Sequence, residues 1–269
     1  MCVASIIQNT NVPYRLHILG SHITDEVRKW VGDSGTITEV DRKMTCLSGR
    51  RHLLDCLPDA TDIVYLDDDI TVTQGWLSDL HDVKDRHGAS VVAASLISDT
   101  NASISDGIKY NMISGARVVH DGIVKVPKAL IEVRVTMCHG GATLYDAESL
   151  RATEYRSDFG AGFEDWDQTL QISQDQGGTV YGSGVLLFHV HGAESRAKPY
   201  MDARWRWDDL MRSAVAMYDR WGVKTGVISS YKLAVFKRDE GAEIDNELLD
   251  RCNEIIKEVG NVKSFDCVR

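Results

Sequence analysis

The chain has little of what marks a membrane, repeat or secreted protein. Its apolar runs fall well short of the roughly 20 residues that a membrane-spanning helix needs. The N-terminus does not carry the charged segment followed by an apolar one that is typical of a secretory signal. Only four prolines occur, and there are no repeats or low-complexity tracts. These absences favour a soluble globular protein, and we predict a cytoplasmic location.

Basic charge is also scarce. The 30 Lys and Arg residues against 40 Asp and Glu residues give a net charge of -10. Proteins that bind nucleic acid without sequence specificity neutralise phosphates with Lys and Arg, so such binding is not expected here. None of the six cysteines forms a C-x-x-C pair, and we expect reduced thiols, with a Cys252–Cys267 bridge as the alternative.

Segments with strand and helix patterns alternate along the chain. Residues 62–66 are predicted as a short buried strand, and the apolar run 89–97 as a strand covered on both faces. Residues 76–86 place their apolar side chains on one helical face. Further helices are predicted at 2–10, 50–57, 165–174, 205–221 and 246–259, and further strands at 14–19, 131–137 and 179–188. The alternation predicts an α/β fold with a mainly parallel sheet flanked by helices.

An acidic triplet, Asp67-Asp68-Asp69, directly follows the apolar run Ile63-Val64-Tyr65-Leu66. Mg²⁺ and Mn²⁺ prefer hard oxygen ligands, usually one or two carboxylates together with substrate phosphate and water. Carboxylates at the end of a buried strand can supply such ligands without burying an unpaired charge. The triplet therefore predicts a cation site, and a solvated acidic turn is the alternative.

A second acidic cluster lies at Glu164-Asp165, and His189 and His191 follow after a further apolar run. A carboxylate beside a cation site is suited to act as a general base, and histidine is a common metal ligand. Each histidine also has a purely structural interpretation. The order of the two acidic clusters and the histidines suggests transfer of a group from a phosphate-bearing donor.

Four segments in this order resemble the GT-A glycosyltransferases, most closely the family 2 type. They are DIVYLDDDITVTQGWL, HGGATLYDAESL, FGAGFEDWDQTLQISQDQGGTVY and LLFHVHGAES. The resemblance covers residues 1–225 and implies a GT-A, Rossmann-like sheet with a small antiparallel sheet on the acceptor side and C-terminal helices. Residues 226–269 are expected to form a helical extension.

The resemblance also implies roles for individual residues. Asp165 would be the catalytic base and Glu164 would orient the acceptor. Asp69 would bind the cation, with His191 favoured over His189 to complete the metal site. The donor-binding residues that the resemblance implies are Asp67, Asp68, Arg50, Arg51, Gly140 and Gly141. From the residues alone, the glycines are equally consistent with a plain turn and the arginines with a solvated helix face.

The activity that the resemblance implies is a metal-dependent transfer, with Mn²⁺ or Mg²⁺, from a nucleoside-diphosphate sugar to an acceptor hydroxyl. A UDP-sugar is the expected donor, and the anomeric configuration would invert. The acceptor could be a glycan, a lipid-linked sugar, a protein or a modified nucleobase.

Two departures from the family pattern leave other functions open. The first strand is missing, or residues 2–7 take its place, and residues 18–22 offer no carboxylate to bind the nucleoside. One alternative is a non-catalytic binding module with this fold. Another is a phosphatase of the haloacid dehalogenase type, with Asp67 as nucleophile and Asp69 as acid/base. A nucleotidyltransferase, which also uses strand-end carboxylates and a metal, is the third.

Overall fold

The structure is a computed structural model, and it describes residues 2–40, 44–99, 110–113, 116–125, 132–159, 162–190 and 207–258. The chain divides into two compact units. The first comprises Met1–Val118, Val126–Tyr155 and Asp165–Tyr200. The second comprises Val119–Lys125, Arg156–Glu164 and Met201–Arg269.

Helices and strands alternate only in part: seven strands follow one another between residues 91 and 146 with no described helix between them, and three successive helices occupy residues 207–258. The helices are α1 Cys2–Asn9, α2 Asp25–Val31, α3 Cys46–Asp55, α4 Trp76–His87, α5 Ala147–Arg151, α6 Glu164–Leu170, α7 Trp207–Trp221, α8 Lys224–Asp239 and α9 Asn246–Glu258. The strands are β1 Leu16–Gly20, β2 Gly35–Glu39, β3 Asp62–Leu66, β4 Ile70–Thr71, β5 Val91–Asp99, β6 Tyr110–Ile113, β7 Ala116–His120, β8 Ile123–Lys125, β9 Val133–Val135, β10 Met137–Cys138, β11 Ala142–Asp146 and β12 Val180–His189. A short 3-10 turn follows α2, and a π-helical turn, Gln171–Asp175, extends α6.

The central sheet has the strand order β3-β11-β5-β12-β4, with β6 added beside β5 and β9 beside β12. Strands β5 and β12 pair in parallel. Strand β11 runs antiparallel to both of its neighbours, β3 and β5. The α/β class with a central sheet flanked by helices is confirmed, but the pairing within this sheet is mixed where the sequence predicts mainly parallel strands.

Two smaller sheets accompany the central one. Strands β1 and β2 form a parallel pair of their own. Strands β10, β7 and β8 form a three-stranded sheet in that order, and β10 runs antiparallel to β7. The predicted small antiparallel sheet is therefore present. The first residues form helix α1, so they do not replace a strand of the sheet.

Alternating residues of β5 enter two different apolar clusters, which shows that both faces of the sheet are covered. Val92, Ala94 and Leu96 belong to one cluster. Val91 and Ala93 belong to the other. Successive strand side chains point to opposite faces, so a nearly continuous apolar run is what a doubly covered strand requires. The interpretation of the apolar run 89–97 is confirmed.

Helix α1 is hydrogen-bonded to the segment that follows the acidic triplet. The buried Ser5 Oγ accepts a hydrogen bond from the backbone N–H of Val72 at 3.1 Å, and Asn9 Nδ2 donates to the carbonyl of Val72 at 2.9 Å. The indole N–H of Trp76 donates to Thr10 Oγ1 at 3.0 Å. The first turns of the chain thus fix the backbone that leads out of the triplet.

The second unit has its own apolar core, built from helices α7, α8 and α9. Met211, Ala214, Val227, Ala234, Leu249, Cys252 and Ile255 form this core. The buried face of α8 consists of small residues, including Gly226, Ser230 and Ala234. The predicted boundary at residue 225 falls inside α8, and helical structure continues on both sides of it.

Within the part of the chain that is described, no helix is long and apolar enough to cross a membrane. Cys2, Cys46, Cys56, Cys138 and Cys252 are free thiols. Cys267 lies outside the described residues, so the alternative of a Cys252–Cys267 bridge stays a prediction.

Candidate functional site

The acidic triplet lies in a tight turn between β3 and β4. Asp67 donates its backbone N–H to the carbonyl of Gly141 at 2.9 Å, and its own carbonyl accepts the N–H of Ile70 at 3.1 Å. The side chain of Asp67 is 46% exposed and that of Asp69 is 21% exposed, and Asp68 is exposed. The turn therefore directs carboxylates into solvent-accessible space at the edge of the sheet.

Asp69 meets His189, which lies 120 residues later at the end of β12. Strand β12 pairs with β4 so that His189 is opposite Ile70, and the N–H of Val190 donates to the carbonyl of Asp69 at 2.9 Å. His189 Nε2 lies 3.0 Å from Asp69 Oδ2. The sheet register thus brings a carboxylate and an imidazole together.

The 3.0 Å separation is that of a hydrogen bond between the two side chains, and two ligands of one cation can have the same spacing. Two ligand atoms at right angles around a cation, each about 2.1 Å from it, are about 3.0 Å apart. A carboxylate oxygen and an imidazole nitrogen are both suitable for Mn²⁺. No group of three or more His, Cys, Asp or Glu side chains with ligand spacing occurs among the described residues. His191, the favoured histidine, lies outside them.

The segment His139–Gly141 connects the acidic triplet with the proposed base. The N–H of Gly140 donates to Asp165 Oδ2 at 2.7 Å, and the carbonyl of Gly141 accepts the N–H of Asp67. A Cβ on Gly141 would lie 2.7 Å from Asp67 Oδ2, closer than side chains tolerate. Glycine at this position allows the backbone to approach the carboxylate; donor binding by the two glycines stays a prediction.

Arg50 approaches the same place from α3. Its Nη2 lies 3.8 Å from Asp67 Oδ1, and its side chain is only 11% exposed. Its guanidinium carbon lies 5.5 Å from the ring centroid of Tyr65, and the Tyr65 hydroxyl donates to the Arg50 carbonyl at 2.9 Å. A Cβ on Gly140 would collide with Arg50 Nη1. Both glycines of the segment are therefore in contact with predicted donor-binding side chains.

Arg51 points elsewhere. Its Nε lies 3.1 Å from Asp55 Oδ1, one helical turn along α3, and its guanidinium stacks on the ring of Tyr155 at 5.1 Å. The structure thus brings Arg50, but not Arg51, to the acidic triplet.

Asp165 lies in the first turn of α6 with both carboxylate oxygens engaged. Oδ2 accepts from Gly140, and Oδ1 accepts the N–H of Trp166 at 2.9 Å. Glu164 begins the helix and is buried. Asp167 is also buried, and its Oδ2 accepts a hydrogen bond from Gln171 Nε2 at 2.7 Å. Asp167 thus has a structural contact, whereas Asp165 faces the segment that holds the triplet.

Two residues that the sequence interpretation does not include interact electrostatically with these side chains. Burial and the nearby charges of Arg117 and Arg50 lower the pKa of His139 to about 4, with Asp67 acting in the opposite direction. Burial lowers the pKa of Arg117, and the charge of Asp165 opposes that shift. His139 directly precedes the two glycines, and that position was the available signal. Arg117 stands in a polar stretch with no motif around it.

Comparison with known proteins supports the fold. No protein-family model and no curated protein matches the chain. A crystal structure of GalNAc-T7 with UDP, GalNAc and Mn²⁺ superposes with a TM-score of 0.59 and 14% identity, covering 96% of this chain and 54% of that one. A crystal structure of A197 from STIV gives a TM-score of 0.42 and 18% identity, covering 66% of this chain and 87% of the other.

The fold defined by these features is of the GT-A type. The chain spans about half of the GalNAc-T7 chain that it matches (54%). The predicted fold class is thereby confirmed.

Proposed function

We propose that the protein is a metal-dependent glycosyltransferase. It would move a sugar from a nucleoside-diphosphate sugar, with a UDP-sugar as the first candidate, to an acceptor hydroxyl. The observation that carries the proposal is the 3.0 Å approach of His189 to Asp69, beside the segment that holds Asp165, on a GT-A fold. The UDP and Mn²⁺ in the GalNAc-T7 structure support the same donor class and cofactor.

The donor would bind at the acidic triplet. Asp69 and His189 would hold Mn²⁺ or Mg²⁺, with His191 as a further ligand. The cation would neutralise the charge that develops on the leaving nucleoside diphosphate. Asp67 and Asp68 are assigned to the ribose and to metal-bound water, and Arg50 to the diphosphate, for which a guanidinium is well suited. Arg51, which pairs with Asp55, is not assigned to the donor.

Asp165 would remove the proton from the acceptor. Its carboxylate orientation is set by the N–H groups of Gly140 and Trp166, so little reorientation is required when the acceptor arrives. The acceptor oxygen attacks the anomeric carbon as the proton moves to Asp165, and Glu164 orients the acceptor. A single displacement inverts the configuration at the anomeric carbon. Retention of configuration in the product, measured by NMR, would show that Asp165 is not the base of a single displacement.

The acceptor classes that fit this reaction are a glycan, a lipid-linked sugar, a protein and a modified nucleobase. All four present a hydroxyl that a carboxylate can deprotonate during attack.

Calorimetric titration of UDP, GDP and dTDP, each with and without Mn²⁺, tests the proposal. We expect tight binding of one nucleotide that depends on the metal. Asp69→Ala should lose the metal-dependent part of the affinity because it removes a ligand. Asp85→Asn is the matched control, because Asp85 is an exposed carboxylate of α4 and its loss changes the net charge equally.

The other functions predict different results. If no nucleotide bound to the wild type, the non-catalytic binding module would become the better explanation. Release of phosphate from a model phosphoester, lost on Asp67→Asn, would indicate a phosphatase. Equal metal-dependent affinity in wild type and Asp69→Ala would show that the cation site lies elsewhere.

A further inference from the structure

His139 occupies a position between the proposed donor and acceptor sides of the site. It begins the segment whose Gly140 N–H holds Asp165 and whose Gly141 carbonyl holds the backbone of Asp67. A Cβ on Gly141 would lie 2.7 Å from Asp67 Oδ2 and 3.6 Å from His139 Nδ1. The imidazole and the Asp67 carboxylate therefore flank the same point of the backbone. The charges that act on the ring include those of Arg50, Arg117 and His189.

The hydrogen bonds of His139 determine which ring nitrogen carries the proton. Nδ1 accepts the backbone N–H of Gly141 at 3.2 Å, so Nδ1 has a lone pair and no proton. In a neutral imidazole the other nitrogen is then the donor. Nε2 is buried and has no hydrogen-bond partner among the described residues. The ring thus holds a buried N–H group for which the described residues supply no acceptor.

A buried donor without a partner costs free energy, so it is a feature that needs an explanation. The residue is otherwise held in place: its backbone carbonyl accepts the hydroxyl of Thr143 at 2.6 Å, and its ring Nδ1 accepts the N–H of Gly141. A group that is held in place with one unsatisfied donor is suited to bind a ligand oxygen.

We propose that the Nε2–H of His139 donates a hydrogen bond to a hydroxyl of the sugar that is transferred. This inference rests on the proposed glycosyltransferase function. The sugar must lie between the diphosphate, which the triplet would hold, and the acceptor oxygen, which Asp165 would activate. The segment of His139 joins these two places.

The chemistry of the ring favours a hydroxyl over a phosphate oxygen. Burial and the neighbouring arginines lower the pKa of His139, so the imidazole is uncharged at neutral pH. A charged donor binds phosphate more strongly than a neutral one does, and Arg50 is already present for that purpose. A neutral N–H matches a neutral hydroxyl and adds no charge next to Asp67.

Two substitutions separate binding of the sugar from support of the backbone. In His139→Asn the side-chain oxygen can still accept the Gly141 N–H, but the distal donor is lost. In His139→Gln an N–H donor is retained near the position of Nε2. Affinities for UDP and for UDP-glucose, UDP-galactose, UDP-GlcNAc and UDP-GalNAc would be measured with Mn²⁺ for the wild type and both variants.

We expect UDP to bind all three proteins with similar affinity. The preferred UDP-sugar should bind His139→Asn about 10- to 100-fold more weakly than the wild type, and His139→Gln should recover part of the loss. Equal weakening for UDP and the UDP-sugar would show a phosphate contact or a structural role and overturn the inference. Unchanged affinity in His139→Asn would overturn it as well.

A test on the ligand covers the case in which the variants do not fold. Analogues of the preferred UDP-sugar that each lack one hydroxyl would be titrated into the wild type. Loss of one particular hydroxyl should weaken binding by about tenfold or more, and if none does so the inference is wrong. If the wild type binds UDP but binds no UDP-sugar more tightly than UDP, the inference about His139 is wrong while the proposed function is not refuted. If it binds no nucleotide, the proposed function fails.

Discussion

Replacing Asp165 by Asn separates catalysis from donor binding. Asn keeps the size of the side chain but cannot accept a proton from the acceptor. A general base contributes about 10²- to 10⁴-fold to a rate, which corresponds to roughly 3–5 kcal/mol of transition-state stabilisation. We therefore expect turnover to fall by that factor. The affinity for UDP with Mn²⁺ should stay unchanged because Asp69 and His189 are intact.

The structure also sets the expected change in stability. Both carboxylate oxygens of Asp165 accept backbone N–H groups, those of Gly140 and Trp166, whereas Asn has one oxygen. One N–H loses its acceptor, and since Gly140 is buried this should cost about 1–3 kcal/mol in the free energy of unfolding. Asp167→Asn is the control: it changes a buried carboxylate of the same helix, which bonds Gln171, and should lower stability while most of the turnover remains.

The assay is release of UDP from a UDP-sugar with Mn²⁺, with water as the acceptor, so that no acceptor has to be known. Urea unfolding measures the stability of each variant in parallel. Near-normal turnover in Asp165→Asn would refute the assignment of this residue as the base. Loss of turnover in Asp167→Asn equal to that in Asp165→Asn would show that stability, and not proton transfer, explains the effect.

Two further predictions concern the segment His139–Gly141. Gly141→Ala places a Cβ 2.7 Å from Asp67 Oδ2, so metal-dependent binding of UDP should weaken in calorimetry. Gly49 lies inside α3, and the Cβ of Gly49→Ala would make an ordinary 3.5 Å contact with Leu19. This variant should leave binding unchanged and raise stability by up to about 1 kcal/mol. The pKa of His139 is lowered from 6.5 to about 4 in the folded protein. As the pH decreases, the imidazole is therefore protonated in the unfolded chain before it is protonated in the folded one. The free energy of unfolding should fall as the pH decreases from 6.5 towards 4. Between pH 7.5 and 5.5 this should cost about 1 kcal/mol in urea unfolding, and the cost should be absent in His139→Asn; equal pH dependence in both proteins would contradict it.

The local elements follow closely from the sequence. The strand 62–66 is predicted with the bounds that it has, because a short apolar run followed by three carboxylates can hardly continue into the core. The direction of β11 does not follow in this way. It depends on which neighbours the strand finds across the sheet, Ile63 and Val91 among them, and no local pattern encodes that choice.

Helix α8 is a second element that is hard to predict from the sequence. Its buried positions are occupied by Gly226, Val227, Ser230 and Ala234, which have helical spacing but little apolar surface. Periodicity of hydrophobic residues therefore gives only a weak signal. The packing of these small side chains against the neighbouring helices becomes visible only in three dimensions.

The residues of the candidate site also differ in whether a local sequence pattern reveals them. The carboxylates Asp67, Asp69 and Asp165 can be found because each stands in a sequence motif. The role of His139 depends on one backbone hydrogen bond, from Gly141, and on the lack of another at Nε2. Both are properties of the folded chain.

Helix α1 has a consequence for the handling of this protein. Its hydrogen bonds to Val72, together with the contact of Thr10 with Trp76, fix the backbone between the acidic triplet and α4. A protease that cut just before Tyr14 would leave every proposed ligand in the chain but would release these supports. The digested protein would have nearly its full mass on a gel and a loosened cation site. Intact mass should therefore be measured on every preparation before its metal affinity is interpreted.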